Sequence, residues 1–123
     1  MGCSYMGFTF VKVRLYSLDM SRYEDVELLV DSGALFTSIP RSILEKLGLK
    51  PIARYRLRTF SGEVVECDVG GAIIEYESRR AVVPVVFGES GDAQVLGVTT
   101  LETLGYQLDP VTKRLRPVEF LMI

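Results

Sequence analysis

The chain has 123 residues, of which 48% are apolar and 24% charged, with a net charge of −2, a balance that suits one globular domain over residues 1–123. No excess of Lys and Arg is available for phosphate binding, so nucleic acid is not an expected partner. There is no histidine, and Cys3 and Cys67 are the two cysteines; Ser-His-Asp and Cys-His catalysis, imidazole metal sites and a disulfide framework are all disfavoured. No metal or other cofactor is expected, and any chemistry must come from carboxylates, hydroxyls, amines or backbone groups.

Residues 1–7 lack the basic and apolar stretches of a secretory signal. Met6 stands where a myristoylation signal has Ser or Thr. No run approaches the ~18 apolar residues that span a bilayer. The expectation is a cytoplasmic protein without a membrane partner.

Phe8 to Tyr16 is rich in β-branched and aromatic residues, with Lys12 and Arg14 alternating to one face, and reads as a strand. Ser17 to Arg22 reads as a turn. Val26 to Val30 is a second strand, nearly continuous in apolar character towards its end, and it runs into Asp31-Ser32-Gly33. Ser38 to Gly48 has a helical pattern: Ser38 as cap, Pro40 in the first turn, Ile43, Leu44 and Leu47 on one face, and Gly48 at the end.

Arg54 to Phe60 alternates strictly, and Glu63 to Val69 returns from the turn at Ser61-Gly62, which predicts a hairpin. Its arginines read as a solvated strand face. Cys67, on the returning strand, reads as a packing residue. Gly70-Gly71 reads as a break before a strand pair, Ala72 to Tyr76 and Ala81 to Phe87, joined by a turn at residues 77–80. Val95-Leu96-Gly97 is a short apolar run, Thr99 to Gly105 reads as one or two helical turns, and residues 106–108 and 115–123 read as a last strand pair. The domain is expected to be mainly β.

Alone, Asp31-Ser32-Gly33 says little, because all three residues are common turn formers. Its setting says more. An apolar strand, Leu28-Leu29-Val30, precedes it and Ala34 follows. A hairpin with a Gly-containing tip comes next, then Val95-Leu96-Gly97 and a short helix. In this order, over roughly residues 8 to 105, the chain resembles the subunit of the retroviral-type (retropepsin-like) aspartic proteases. It looks closest to single-domain prokaryotic members, which share stretches like Leu96 to Glu102 and Asp109-Pro110-Val111.

The resemblance implies a closed, β-barrel-like acid protease subunit with one or two short helices and a flap hairpin. It implies an endopeptidase in which Asp31 supplies a catalytic carboxylate. Ser32 stands where a hydroxyl bonds across the dimer, and Gly33 where a backbone amide donates to the carboxylate. Ala34 lines the substrate cleft, and Phe60, Ser61 and Gly62 form the flap tip. Gly97 is a structural residue packed behind the Asp loop. Leu35-Phe36-Thr37 departs from the retroviral pattern, which has acidic residues there to hold the substrate backbone, and the flap has fewer glycines. Leu35, Phe36 and Phe60 lead to the expectation of an apolar cleft.

Only one Asp-[Ser/Thr]-Gly is present. A carboxylate dyad, in which like charges at close range share one proton, would therefore need a homodimer acting on peptide or protein substrates. The apolar end, Val118 to Ile123, is expected to pair with its copy across the two-fold axis, as the termini of retroviral members do. Two other readings remain: a dimeric peptide-binding or assembly module with the same fold and no activity, and an unrelated small β-barrel.

Overall fold

The computed structural model describes residues 3–5, 8–59 and 61–120. The described strands are β1 (Cys3–Tyr5), β2 (Phe8–Tyr16), β3 (Tyr23–Val30), β4 (Thr37–Pro40), β5 (Ala53–Arg58), β6 (Val64–Tyr76), β7 (Arg79–Gly88), β8 (Val95–Leu96), β9 (Tyr106–Leu108) and β10 (Leu115–Pro117). The helices are α1 (Arg41–Lys46) and α2 (Val98–Leu104). The protein is mainly β. None of the described helices is long and apolar enough to cross a membrane.

Alternation places the core. In β2, Val11, Val13 and Leu15 point inward while Lys12 lies exposed; in β3, Val26, Leu28 and Val30 do the same. These faces meet Ile39, Leu44, Ile74, Val83, Val85 and Leu96 in one cluster. Each fully buried Leu or Ile contributes about 1.5–3 kcal/mol of transfer free energy.

One sheet runs in the order β1-β2-β3-β8-β4-β7-β6-β5, and a further pairing of β2 with β6 closes the strands from β2 to β6 into a ring, with β1 and β5 outside it. The closing register sets Arg14 opposite Glu75, Leu15 opposite Ile74 and Tyr16 opposite Ile73. β8 is the short insertion that decides the topology. It lies between β3 and β4, parallel to β3 and antiparallel to β4, so the segment that precedes α2 is threaded beside the strand that ends at Asp31.

Three local expectations are corrected. Ser38 does not cap a helix: residues 37–40 are strand β4, held by parallel pairing to residues 85–88. Helix α1 starts only after Pro40, without a side-chain cap bond. Tertiary pairing outweighs the local helical pattern, and Pro40 fixes the extended turn into the helix (φ −53°, ψ 133°).

Gly70-Gly71 does not interrupt a strand either, since β6 runs unbroken for 13 residues. Gly70 is where other backbone comes close, because a Cβ there would lie 2.8 Å from the Lys50 carbonyl oxygen. Arg79 and Arg80 open β7 rather than forming a turn. The expected last strand pair forms within the subunit over residues 106–108 and 115–117. β10 pairs with β9, Leu115 facing Leu108, and the Val118 amide donates to the Gly105 carbonyl at 2.8 Å. Residues 121–123 of the expected inter-subunit strand lie outside the described residues.

Several turns are built on carboxylates. Asp19 accepts from the Ser21 amide (3.0 Å) and from the hydroxyls of Ser21 (2.7 Å) and Ser17 (2.8 Å). The Ser21 amide is the main cause that pulls Asp19 from 3.8 down to about 2. The Val111 and Thr112 amides likewise hold Asp109 below the usual carboxylate range. A carboxylate with a depressed folded pKa stabilises the fold above its unfolded pKa, and that stabilisation is lost as pH falls through the folded value. Denaturant midpoints are therefore expected to hold steady above about pH 5 and to decline from about pH 4 towards pH 2. Asp19→Asn should lower the midpoint at neutral pH and flatten that acid slope, which urea titrations across pH will read.

Candidate active site

β3 ends by delivering Asp31 to the surface. Val30 lies beside Leu96, and the Asp31 amide donates to the Leu96 carbonyl at 3.0 Å. The chain then turns sharply. The Ala34 amide donates to the Asp31 carbonyl (3.1 Å), and the Gly33 amide donates to Asp31 Oδ1 (3.0 Å). Asp31, Ser32 and Gly33 are all exposed. The turn chemistry of Asp-Ser-Gly and the presentation of a carboxylate are here the same feature, because the amide that closes the turn also binds the side chain.

Residues 34–36 next cross over residues 97–99. The Val98 amide donates to the Ala34 carbonyl (2.7 Å) and the Thr99 amide to the Leu35 carbonyl (3.1 Å). Gly97 sits at the crossing, where a Cβ would stand 2.5 Å from both the carbonyl carbon and oxygen of Phe36 and 3.0 Å from the Ala34 oxygen. No other residue fits without separating the two loops. Beneath the crossing, the Gly97 amide donates to Thr37 Oγ1 at 3.0 Å, and Thr37 Oγ1 shares a hydrogen bond of 2.6 Å with Thr100 Oγ1. Both threonines are fully buried. Nothing local in the sequence marks this pair: Thr37 falls in the stretch that follows the Asp31 loop and Thr100 in a helical turn, and only the topology joins them.

The hairpin β5–β6 stands over the same loop. Between Gly33, Ala34 and Phe36 on one side and Leu57, Val65 and Cys67 on the other lies a cavity of ≈ 510 Å³. Phe36 meets Tyr55 of β5 edge to face, with ring centroids 5.6 Å apart. Ala34 and the hairpin arms are thus brought together. Ser61 and Gly62 form the tip turn, with the Gly62 amide donating to the Thr59 carbonyl at 2.9 Å, but they do not line this cavity. Phe60 lies outside the described residues. Ser32 faces a different cavity, one shared with α2 and the C-terminal segment.

Ion pairs fix the root of the hairpin. Asp68 receives Arg41 Nη2 at 2.7 Å and Arg54 Nη1 at 2.9 Å, and Arg41 also reaches Glu89 at 2.8 Å. The Arg41 bond is the main cause that holds Asp68 below the usual carboxylate range. Arg54 belongs to the face expected to be solvated, but it is tied to the hairpin root. Burial pushes the Cys67 thiol up, and Asp92 adds to the effect, so the thiol in the cavity wall is a poor nucleophile. Among the described residues, no group of His, Cys, Asp or Glu could hold a metal ion.

This arrangement of ring, crossing loops and hairpin is the fold of the retropepsin-like aspartic proteases. It is similar to the retropepsin-like aspartic protease from Rickettsia conorii, with 16% identity, 89% of this chain and 82% of that chain covered, and a TM-score of 0.59. It is also similar to the EIAV protease complexed with the inhibitor HBY-793, with 18% identity, 87% and 99% coverage, and a TM-score of 0.60. The family model described as aspartyl protease matches residues 18–100, and the chain belongs to that family. Comparison with curated proteins gave no match at the sequence level.

The buried hydroxyl pair under the crossing lends itself to a direct test. Thr37→Val keeps the shape but leaves the Gly97 amide without its acceptor and the Thr100 hydroxyl without its partner. The expected loss is about 1–3 kcal/mol of stability, with Thr37→Ser close to wild type. Urea denaturation of the three proteins gives the comparison.

Proposed function

We propose that this chain is one subunit of a homodimeric aspartic endopeptidase, folded as one domain, in which Asp31 of two chains forms the catalytic dyad. The observation that carries the reading is the Asp31 carboxylate itself. It is exposed at the end of a strand whose inner face is buried, on a loop braced by a backbone crossing, with one oxygen bound by the Gly33 amide. That is heavy bracing for a surface turn, and it suits a group whose position must be reproducible.

The chemistry follows from what two carboxylates can do. At hydrogen-bonding distance they share one proton, because two adjacent negative charges in a partly desolvated site repel strongly. The ionised member takes a proton from water as the water oxygen attacks the peptide carbonyl carbon. The protonated member gives its proton to the carbonyl oxygen, forming a neutral tetrahedral diol. Proton transfer to the amide nitrogen then accompanies C–N cleavage and yields a carboxylic acid and an amine. In this reading Gly33 holds the carboxylate, and Ser32 lies where its hydroxyl could bond to the other loop. Ala34 and the hairpin arms line the substrate cleft, Ser61 and Gly62 form the tip that closes over it, and Gly97 keeps the loops in contact.

The cleft walls, Ala34, Phe36, Leu57 and Val65 among them, favour substrates with apolar side chains near the cleaved bond. Leu35 and Phe36 occupy positions where retroviral members have acids, so the grip on the substrate backbone would come from main-chain groups.

Asp31→Asn is expected to remove proteolysis of a peptide library, a fall of about 10²- to 10⁴-fold or more, while the denaturation midpoint and dimer mass stay as in wild type. An active Asn variant would refute the assignment. Wild-type rates should trace a bell against pH with its maximum on the acidic side of neutral, since both limbs report loss of the singly protonated dyad. A rate that climbs steadily through neutral pH, or that a chelator abolishes, would point to different chemistry.

A further inference from the structure

A basic side chain that the reaction does not use ties down the C-terminal segment. Arg79, at the start of β7, reaches across to the end of α2. Its Nη1 lies 3.1 Å from the Leu104 carbonyl, 2.6 Å from that of Gly105 and 3.3 Å from that of Val118. The first two carbonyls belong to a helix C-terminus, where intrahelical donors run out and a cation is favoured. The third belongs to the C-terminal segment. The same guanidinium lies over the rings of Tyr106 (5.1 Å) and Phe120 (5.9 Å). One side chain therefore joins the β6–β7 hairpin, the helix end and residues 118–120.

The segment held in this way is one wall of a cavity of ≈ 670 Å³. The other walls are Val98, Leu101 and Glu102 of α2, and Ser32 of the Asp31 loop. Phe120 is 60% exposed at this cavity, and the chain continues from it with Leu121-Met122-Ile123.

We propose that Arg79 is a positioning residue that clamps the C-terminal segment to its own subunit, and that the face so formed beside Ser32 receives a second copy of this chain. Dimerisation then packs two folded segments together and exchanges no strand between subunits.

The inference rests on the dyad reading, and geometry links the two. If the Asp31 carboxylates of two chains are in hydrogen-bonding contact, the next residue lies one Cα step, about 3.8 Å, from the residue at the axis. Ser32, and with it the rim of the cavity that it lines, then lies close to the partner. A two-fold axis sets each residue of such a face against its counterparts in reciprocal pairs. The face carries both signs of charge, with Glu102 and Glu119 against Lys113, as self-complementary packing requires. It also accounts for an exposed phenylalanine followed by three more apolar residues.

The test compares wild type, Arg79→Ala, Arg79→Lys and Phe120→Asp by sedimentation and by specific activity on dilution. Arg79→Ala should raise the dimer dissociation constant at least about tenfold, with activity recovered at high protein concentration, and Arg79→Lys should lie between. Phe120→Asp starts from an exposed position, so it should leave the subunit folded by circular dichroism and still weaken the dimer; this keeps the test sharp if Arg79→Ala does not fold. A Gln107→Cys/Arg116→Cys pair, in a background with Cys3→Ser and Cys67→Ser, joins residues that face each other in β9 and β10. It should oxidise to a covalent monomer; a covalent dimer would show strand exchange and overturn the packing proposal. Unchanged dissociation constants in the folded Arg79 and Phe120 variants would overturn the inference while leaving the dyad intact. A wild type that is active as a monomer would overturn the dyad reading itself, and this inference with it.

Discussion

Where residues 34–36 pass over Gly97, two backbone segments lie closer than a side chain allows, for a Cβ at residue 97 would be 2.5 Å from the Phe36 carbonyl. Much else in the structure depends on that contact. It lets the Val98 and Thr99 amides reach the Ala34 and Leu35 carbonyls, and it brings the Gly97 amide onto Thr37. Through β8 it also sets the Leu96 carbonyl where the Asp31 amide can use it. The segment after the acidic residue and the segment before α2 are thus one bonded unit. Its polar groups are satisfied internally: among the described residues no buried side-chain nitrogen or oxygen lacks a partner. In a small protein this is an economical way to hold an exposed carboxylate, since the rigidity comes from main-chain bonds with the buried Thr37–Thr100 pair beneath them.

Features encoded locally were legible in the sequence. Alternation in β2 and the apolar end of β3 gave strands and inward faces, and Asp31-Ser32-Gly33 gave the turn that ends β3. The close approach at Gly97 was legible only through the resemblance to the retropepsin-like proteases, since a glycine after two apolar residues says little by itself. Features encoded by contact were not. Ser38 to Pro40 carries a helical start pattern, but pairing of residues 37–40 to residues 85–88 makes this stretch a strand. Gly70 looked like punctuation because its neighbour, the Lys50 carbonyl, is 20 positions away in the chain. Thr37 and Thr100 are unremarkable until the topology stacks them. Arg79 looked like a turn residue, since nothing local announces that three carbonyls and two rings will converge on it.

The hairpin shows the same division between local pattern and tertiary constraint. Its arms follow from alternation, but its attachment does not. Asp68 draws Arg41 from the start of α1 and Arg54 from β5, so the root is fastened to the body. One residue further along β5, Tyr55 meets Phe36 of the segment after Asp31 edge to face. Phe36 also lines the cavity between the Asp31 loop and the hairpin.

The central claim is that one active site needs two chains. It is tested most directly by mixing wild type with inactive Asp31→Asn at constant total protein, allowing subunits to exchange, and following peptide cleavage against the wild-type fraction. If a site needs Asp31 from both chains and subunits pair at random, activity falls with the square of that fraction, to about one quarter at an equal mixture. Activity that falls in simple proportion, to about one half, would mean that each chain works alone and would contradict a dyad built across a two-fold axis.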